Sequence, residues 1–232
     1  MKYDNIEKGI FIERPNRFIA LVDINGRTER VHVKNTGRCR ELLIPGAEVW
    51  LCRSDSPGRK TAYDLITVQK PGLGLVNIDS QAPNQVVYEW LMEQGFSVIK
   101  PEYTYGGSRL DFYMEREGRP MLMEVKGCTL EIDGLGYFPD APTERGIKHL
   151  HELKNAAMGG ISSCIAFVIP MPGVIKVLPN MDTAPEFGRA LYEAVEAGVK
   201  TLYLPCVVRT DELYIDRKLS RKINTDILSG WN

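Results

Sequence analysis

The sequence is poor in the groups from which thiolate centres and cross-linked scaffolds are made. Its five cysteines, Cys39, Cys52, Cys128, Cys164 and Cys206, are odd in number, form no C-x-x-C pair and have no close histidine partner. That excludes a cysteine-rich zinc site and a disulfide framework, and leaves them as reduced, mostly core, residues. Long apolar runs are missing as well. Stretches such as Ile165-Ala166-Phe167-Val168-Ile169 fall far short of the roughly 20 residues that a membrane helix needs. The opening Met-Lys-Tyr-Asp-Asn-Ile-Glu carries acids and no apolar segment, unlike a secretory leader, so a cytoplasmic location without a membrane partner is expected. Internal repeats and low-complexity tracts are also lacking. At 232 residues the chain has room for one large domain or two small ones.

Net charge is nearly absent too, with 29 Lys+Arg against 30 Asp+Glu, but the balance is uneven along the chain. Residues 1–80 hold 13 basic and 10 acidic side chains. Between residues 14 and 40 stand Arg14, Arg17, Arg27, Arg30, Lys34, Arg38 and Arg40, opposed only by Asp23 and Glu29. Such local basicity fits a nucleic-acid-binding surface, and it also fits a solvated sheet face.

The periodicity divides the chain at residue 82. Before it, short strands are expected at 9–13, 17–24, 27–34, 48–53, 61–70 and 73–78, separated by turns such as Asn25-Gly26, Pro45-Gly46, Ser56-Pro57-Gly58 and Pro71-Gly72. Five or six strands in this length suit a small closed barrel of the OB type. Within 27–34, alternation sends Arg30, His32 and Lys34 to one face and Val31 and Val33 to the other. From residue 83 the pattern becomes helix, strands, helix, strand, helix, strand. The expected helices are 83–92, 143–158 and 184–197, and the expected strands 98–103, 109–115, 120–126, 164–169, 174–178 and 201–208. This is a mixed-sheet α/β arrangement. The basic run Arg217-Lys218-Leu219-Ser220-Arg221-Lys222 reads as a frayed tail.

The segment with most chemistry is Ser108-Arg109-Leu110-Asp111-Phe112-Tyr113, followed by Met121-Leu122-Met123-Glu124-Val125-Lys126. With Glu117-Gly118 as a hairpin tip, Asp111 faces Glu124 and Arg109 faces Lys126. Two carboxylates side by side raise one another's pKa unless a positive group intervenes, and hard oxygen ligands with open positions suit Mg²⁺ or Mn²⁺. Lys126, two residues beyond Glu124, can orient a water or offset charge on a phosphorane-like transition state. Asp followed by Glu-x-Lys is a weak pattern alone. Its apolar neighbours strengthen it, because they mark a central strand where ionic side chains are costly.

On the helix at 143–158, Ile147, Leu150, Leu153 and Ala157 form the expected core stripe. Arg145, His149 and Glu152 lie along a flank with Lys148 beside them. Arg145, Lys148 and His149 are candidates to hold phosphate or water near the carboxylates, although a flank histidine is commonly an ordinary surface residue. Glu89 is a candidate third carboxylate, and a solvent-face charge explains it equally well.

Several runs resemble the sugar fermentation stimulation protein A (SfsA) family: Pro15-Asn16-Arg17-Phe18, His32-Val33-Lys34-Asn35-Thr36-Gly37-Arg38, Glu124-Val125-Lys126-Gly127-Cys128-Thr129-Leu130, and the continuous stretch from Phe138 to Leu153. The resemblance implies an N-terminal OB-like barrel, residues 1–82, and a PD-(D/E)XK nuclease-like α/β domain, residues 83–232. It further implies DNA binding without sequence preference and a role in regulating sugar, notably maltose, metabolism. In the nuclease pattern Asp111 and Glu124 match the metal-binding acids, Lys126 the lysine and Glu89 the upstream helix acid. Lys148-His149 falls where related nucleases often carry Lys-Gln, so His149 is a departure, and Leu110 stands in place of the proline. The leading expectation is a DNA-binding protein with a Mg²⁺- or Mn²⁺-dependent phosphodiester-hydrolysing site, and Arg109 joins the seven basic residues as a candidate DNA contact. The alternative is a non-catalytic DNA-binding regulator with a relic nuclease fold.

Overall fold

The computed structural model describes residues 1–54 and 58–229. The turn expected at Ser56-Pro57 lies outside the described residues.

Six strands occupy the first third of the chain: β1 (Ile6–Asn16), β2 (Ile19–Ile24), β3 (Arg27–Val33), β4 (Glu48–Arg53), β5 (Tyr63–Lys70) and β6 (Gly74–Asn77). Val31 and Val33 are buried and Arg30 is exposed, as the alternation of β3 requires. β1, β2 and β3 form an antiparallel meander, β4 pairs with β1, and β5 pairs with β4. A short parallel pairing of His32 with Asp64 and Val33 with Leu65 closes the ring. The product is a closed five-strand OB-like barrel with β6 laid beside β5.

Asp64 sits at that closing seam, only 3% exposed. The Arg59 guanidinium donates to both of its oxygens, His32 Nδ1 lies 3.0 Å from Oδ1, and Lys34 Nζ lies 3.4 Å from Oδ2. Lys34 also reaches Asp79 at 3.5 Å. The face expected to be basic is therefore partly neutralised: His32 and Lys34 serve buried carboxylates, and Arg30 is exposed beside them.

The second part begins with α1 (Ala82–Leu91) and builds a six-stranded sheet in the order β15-β14-β12-β9-β8-β7. Its strands are β7 (Val98–Tyr105), β8 (Ser108–Arg116), β9 (Arg119–Gly127), β12 (Ser162–Ile169), β14 (Lys200–Val208) and β15 (Leu213–Ile215). Pairing is parallel from β9 through β12 to β14 and antiparallel elsewhere, so the sheet is mixed. The helices α2 (Glu144–Met158) and α3 (Pro185–Glu196) bury Leu150, Leu153, Phe187 and Leu191 in one cluster with Leu122, Ile165 and Phe167. That cluster continues into the barrel through Phe11, Val49 and Leu65, so both parts share a core. Val86, Val87, Trp90 and Leu91 of α1 pack with Phe112, Met114, Met123 and Leu204 in a second cluster.

Several expectations need correction. The inner face of α2 buries Ala156, with Ile147 and Ala157 half-buried against the same cluster, and it includes His149, which is 4% exposed instead of lying on the surface. A small sheet joins two strands that were not expected, β10 (Leu130–Ile132) and β11 (Leu135–Phe138), to β13 (Val177–Pro179), which overlaps the strand expected at 174–178. The basic run at 217–222 is helical: α4 (Arg217–Ile223) is capped by Asp216, whose Oδ1 accepts the Leu219 N–H at 2.9 Å, and is followed by α5 (Thr225–Ser229). Among the described residues no helix is long and apolar enough to cross a membrane.

Burial alone would raise the Asp64 carboxyl, but the hydrogen bonds from Arg59 and His32 and the Lys34 charge outweigh it and hold it below the usual carboxylate range. A depressed folded pKa means stability that is full above the unfolded value, near 3.9, and lost as pH falls through the folded one. Asp64→Asn is expected to destabilise the chain by about 1–3 kcal/mol in urea unfolding at pH 7. The difference from wild type should shrink towards pH 3; a difference independent of pH would contradict this account.

Candidate active site

The β8–β9 hairpin turns at Glu117 and Gly118, both with positive φ, and pairs Arg116 with Arg119 through Phe112 with Met123. This is the register that sets Asp111 opposite Glu124. The backbone ladder stops there. Asp111 Oδ2 accepts the Val125 N–H at 2.7 Å, so a carboxylate takes the place of the next strand carbonyl. Beyond this point Arg109 pairs with Thr104 of β7 and lies 3.6 Å from Glu102, instead of facing Lys126 as the extended register implied.

The other Asp111 oxygen, Oδ1, accepts from Asn84 Nδ2 at 2.8 Å. Asn84 stands in the first turn of α1, and its reach depends on how closely that helix meets β9. A Cβ at Gly127 would lie 2.7 Å from Pro83 Cγ, so glycine at the end of β9 is what allows the approach. Asn84 was not among the residues singled out from the sequence; the Pro83-Asn84-Gln85 helix start placed it in the correct element without revealing its partner.

Glu124 is 2% exposed on β9. Its Oε1 accepts from Lys126 Nζ at 2.5 Å and from His149 Nδ1 on α2. His149 Nε2 in turn lies 3.4 Å from Arg145 Nε, which can only donate. The histidine therefore presents its Nδ1–H to the carboxylate, and Arg145 acts through it. The fixed geometry of α2, with the Thr143 hydroxyl accepting the Gly146 N–H at 3.0 Å, holds both residues on successive turns. Glu124 Oε2 is buried without a hydrogen-bond partner.

The two acids are driven apart electrostatically. Burial, then the charge of Glu124, raises the Asp111 carboxyl above the ordinary range. Burial also acts to raise Glu124, but the His149 hydrogen bond and the Lys126 ammonium more than compensate, and it lies below the ordinary range.

Other candidates are placed elsewhere. Lys148 Nζ donates to the Gly107 carbonyl at 2.6 Å, and Glu152 accepts the Gly107 N–H at 3.0 Å, so this pair clasps the β7–β8 turn. Glu89 accepts from the Met1 amino group at 2.8 Å and from Gln85 at 2.9 Å. Arg14 donates to the backbone carbonyls of Arg17, Asn35, Gly37 and Arg38, which makes it a structural tie. Arg17, Arg38 and Arg40 are exposed along a cleft between barrel and second sheet, whereas Arg27 and Arg30 are exposed on β3 away from it.

The acid pair can accept a divalent cation. The unpartnered Glu124 Oε2 is an acceptor that has lost water without gaining a donor, a costly state that a cation would relieve. Among the described residues no group of three or more His, Cys, Asp or Glu side chains is placed to hold an ion.

Comparison with known proteins agrees with this architecture. The family model described as "SfsA N-terminal OB domain" matches residues 12–78, and that described as "Sugar fermentation stimulation protein RE domain" matches residues 81–212. A sugar fermentation stimulation protein homolog of Desulfitobacterium hafniense strain Y51 is 52% identical over 217 residues, covering 92% of this chain and 94% of the relative. A homolog from Ruminiclostridium cellulolyticum is 48% identical over 227 residues, covering 96% and 100%. The solved structure of Pyrococcus furiosus SfsA in complex with Ca²⁺ superposes with a TM-score of 0.82 at 32% identity, covering 93% of this chain and 95% of that one. With both family models aligned to its two parts and relatives similar along nearly its whole length, this chain belongs to the sugar fermentation stimulation protein family.

Proposed function

We propose that the chain is a metal-dependent phosphodiesterase acting on nucleic acid, with DNA as the polymer, and that residues 1–82 supply binding while residues 83–232 supply the reaction. The observation that carries this reading is the buried, partnerless Glu124 Oε2 beside an Asp111 carboxylate aimed by two donors. Asp111 and Glu124 would hold Mg²⁺ or Mn²⁺. Such an ion, when bound, polarises a phosphoryl oxygen and acidifies a coordinated water. The Ca²⁺ complex of the Pyrococcus furiosus relative supports a divalent-cation site in this fold.

The chain's own groups divide the remaining work. Asn84 and the Val125 amide fix both Asp111 oxygens in position. His149, braced by Arg145, immobilises Glu124 through Oε1 and leaves Oε2 directed elsewhere. Lys126 is 15% exposed at its side chain, close enough to solvent to meet a phosphate while its ammonium stays beside the carboxylate. It can orient the attacking water or offset negative charge as the phosphorus becomes five-coordinate. Backbone-directed arginines give affinity without sequence reading.

The second reading, a DNA-associated regulator without catalysis, draws on the protein donors that already engage both Asp111 oxygens and Glu124 Oε1. Incubation of single-stranded and duplex DNA and RNA with Mg²⁺ or Mn²⁺ separates the two. Cleavage by wild type and its loss by at least 100-fold in Asp111→Ala is expected; absence of cleavage on every substrate leaves only the regulator.

Calorimetric titration with Mn²⁺ gives a second check. Asn84→Ala keeps both carboxylates but frees one Asp111 oxygen, and removing such a supporting hydrogen bond weakens metal binding by about 10–100-fold. An unchanged Mn²⁺ affinity in that variant would mean that the Asn84 contact does not organise the site.

A further inference from the structure

Barrel and second sheet enclose a cleft of about 860 Å³ that the reaction chemistry does not by itself explain. Arg14, Arg17, Arg38 and Arg40 line its barrel side, and the loop at 137–143 lines the other. Asn84 and Val125, the two residues whose N–H groups hold Asp111, also line it. The cleft thus joins an arginine-lined wall to the residues that support Asp111, with the acids themselves behind its lining.

Its charge and rigidity suit a polyanion. Four arginines line it against two aspartates, Asp79 and Asp140. Both acids are already engaged: Asp140 Oδ2 accepts the Cys39 N–H at 2.8 Å, and Asp79 Oδ1 accepts the Gln81 N–H at 3.0 Å. Arg14, by donating to carbonyls on both sides, ties the β1–β2 turn that carries Arg17 to the β3–β4 connection that carries Arg38 and Arg40. The backbone that carries the exposed cations is tied down before any ligand arrives, so less main-chain ordering is needed on binding. Asp140 fastens the far loop to the same connection at Cys39, which fixes the spacing of the two walls.

Size and lining select the ligand. A cleft in the range of about 300–1,000 Å³ encloses a molecule of drug size, which corresponds to a few nucleotides of one strand rather than two paired strands. Tyr137 and Phe138 line it, and Phe18, 51% exposed and just outside the lining, follows Arg17, whose guanidinium lies 5.9 Å from its ring centre. Aromatic faces beside cations are the platform on which unpaired bases stack, a contact that needs no particular sequence.

We propose that this cleft binds single-stranded nucleic acid, with phosphates on Arg17, Arg38 and Arg40 and bases against Phe18 and Tyr137, and feeds the strand to Asp111 and Glu124. The binding mode stands on the cleft; what happens to the strand there rests on the phosphodiesterase reading.

The test is fluorescence anisotropy with wild-type chain in EDTA, so that no cleavage is involved and failure of the hydrolytic reading leaves the measurement intact. The probes are labelled 12-mers of one sequence as single-stranded DNA, single-stranded RNA and blunt DNA duplex. At least tenfold tighter binding of either single strand over the duplex is expected, with the two sugars compared to show which polymer the cleft prefers. Arg38→Ala/Arg40→Ala should weaken single-strand binding by at least tenfold and flatten its salt dependence, each lost phosphate contact removing about 0.7 from the log–log slope. Lys154→Ala/Arg189→Ala, which removes two cations on α2 and α3 that pair with Glu193 and Glu186 outside the cleft, should leave affinity unchanged. Equal or tighter binding of the blunt duplex, or equal losses in both double variants, would overturn the proposal.

Discussion

The site depends on one substitution within a β-ladder, the Asp111 carboxylate in place of a strand carbonyl on the Val125 amide. A buried amide must find an acceptor. By giving Val125 to a side chain, the fold lets β8 leave β9 without an orphaned donor and fixes Asp111 within electrostatic reach of Glu124. The strand alternation changes at this point as well: Leu110 packs with the α2 side of the sheet, while Phe112 and Met114 pack with α1. Where the ladder ends, the acid pair stands.

From that junction, support extends to both faces of the sheet. Asn84 comes from α1 on one side, and His149 and Arg145 come from α2 on the other. The two acids consequently meet different surroundings, one raised by burial and a like charge, the other lowered by donors that overcome its burial. Unequal environments for paired acids are a common property of reactive sites, because they keep like charges from titrating together.

Much of this was legible in the sequence. The Glu117-Gly118 turn sets the hairpin register, and register arithmetic alone brings Asp111 opposite Glu124. Five barrel strands could be read from turn residues and alternation, but closure depended on the distant pairing of β3 with β5, which no local pattern encodes. Helical periodicity placed His149 on a flank of α2. It could not show that Glu124 makes burial of that flank favourable. Charge was the most misleading signal: Arg14 binds carbonyls, Lys34 binds aspartates and Lys148 clasps a turn, although all three read as free cations. The charges of the run at 217–222 mask a helix in the sequence, although its cap, Asp216, stands directly before it.

Gly127 carries no functional group, yet the distance between Pro83 and the end of β9 is set there. A methyl at that point would wedge α1 outwards and draw Asn84 from Asp111 without altering a single charge. The vulnerability of the centre therefore extends to an inert position, and a mutational survey ranked by chemical reactivity would pass over it.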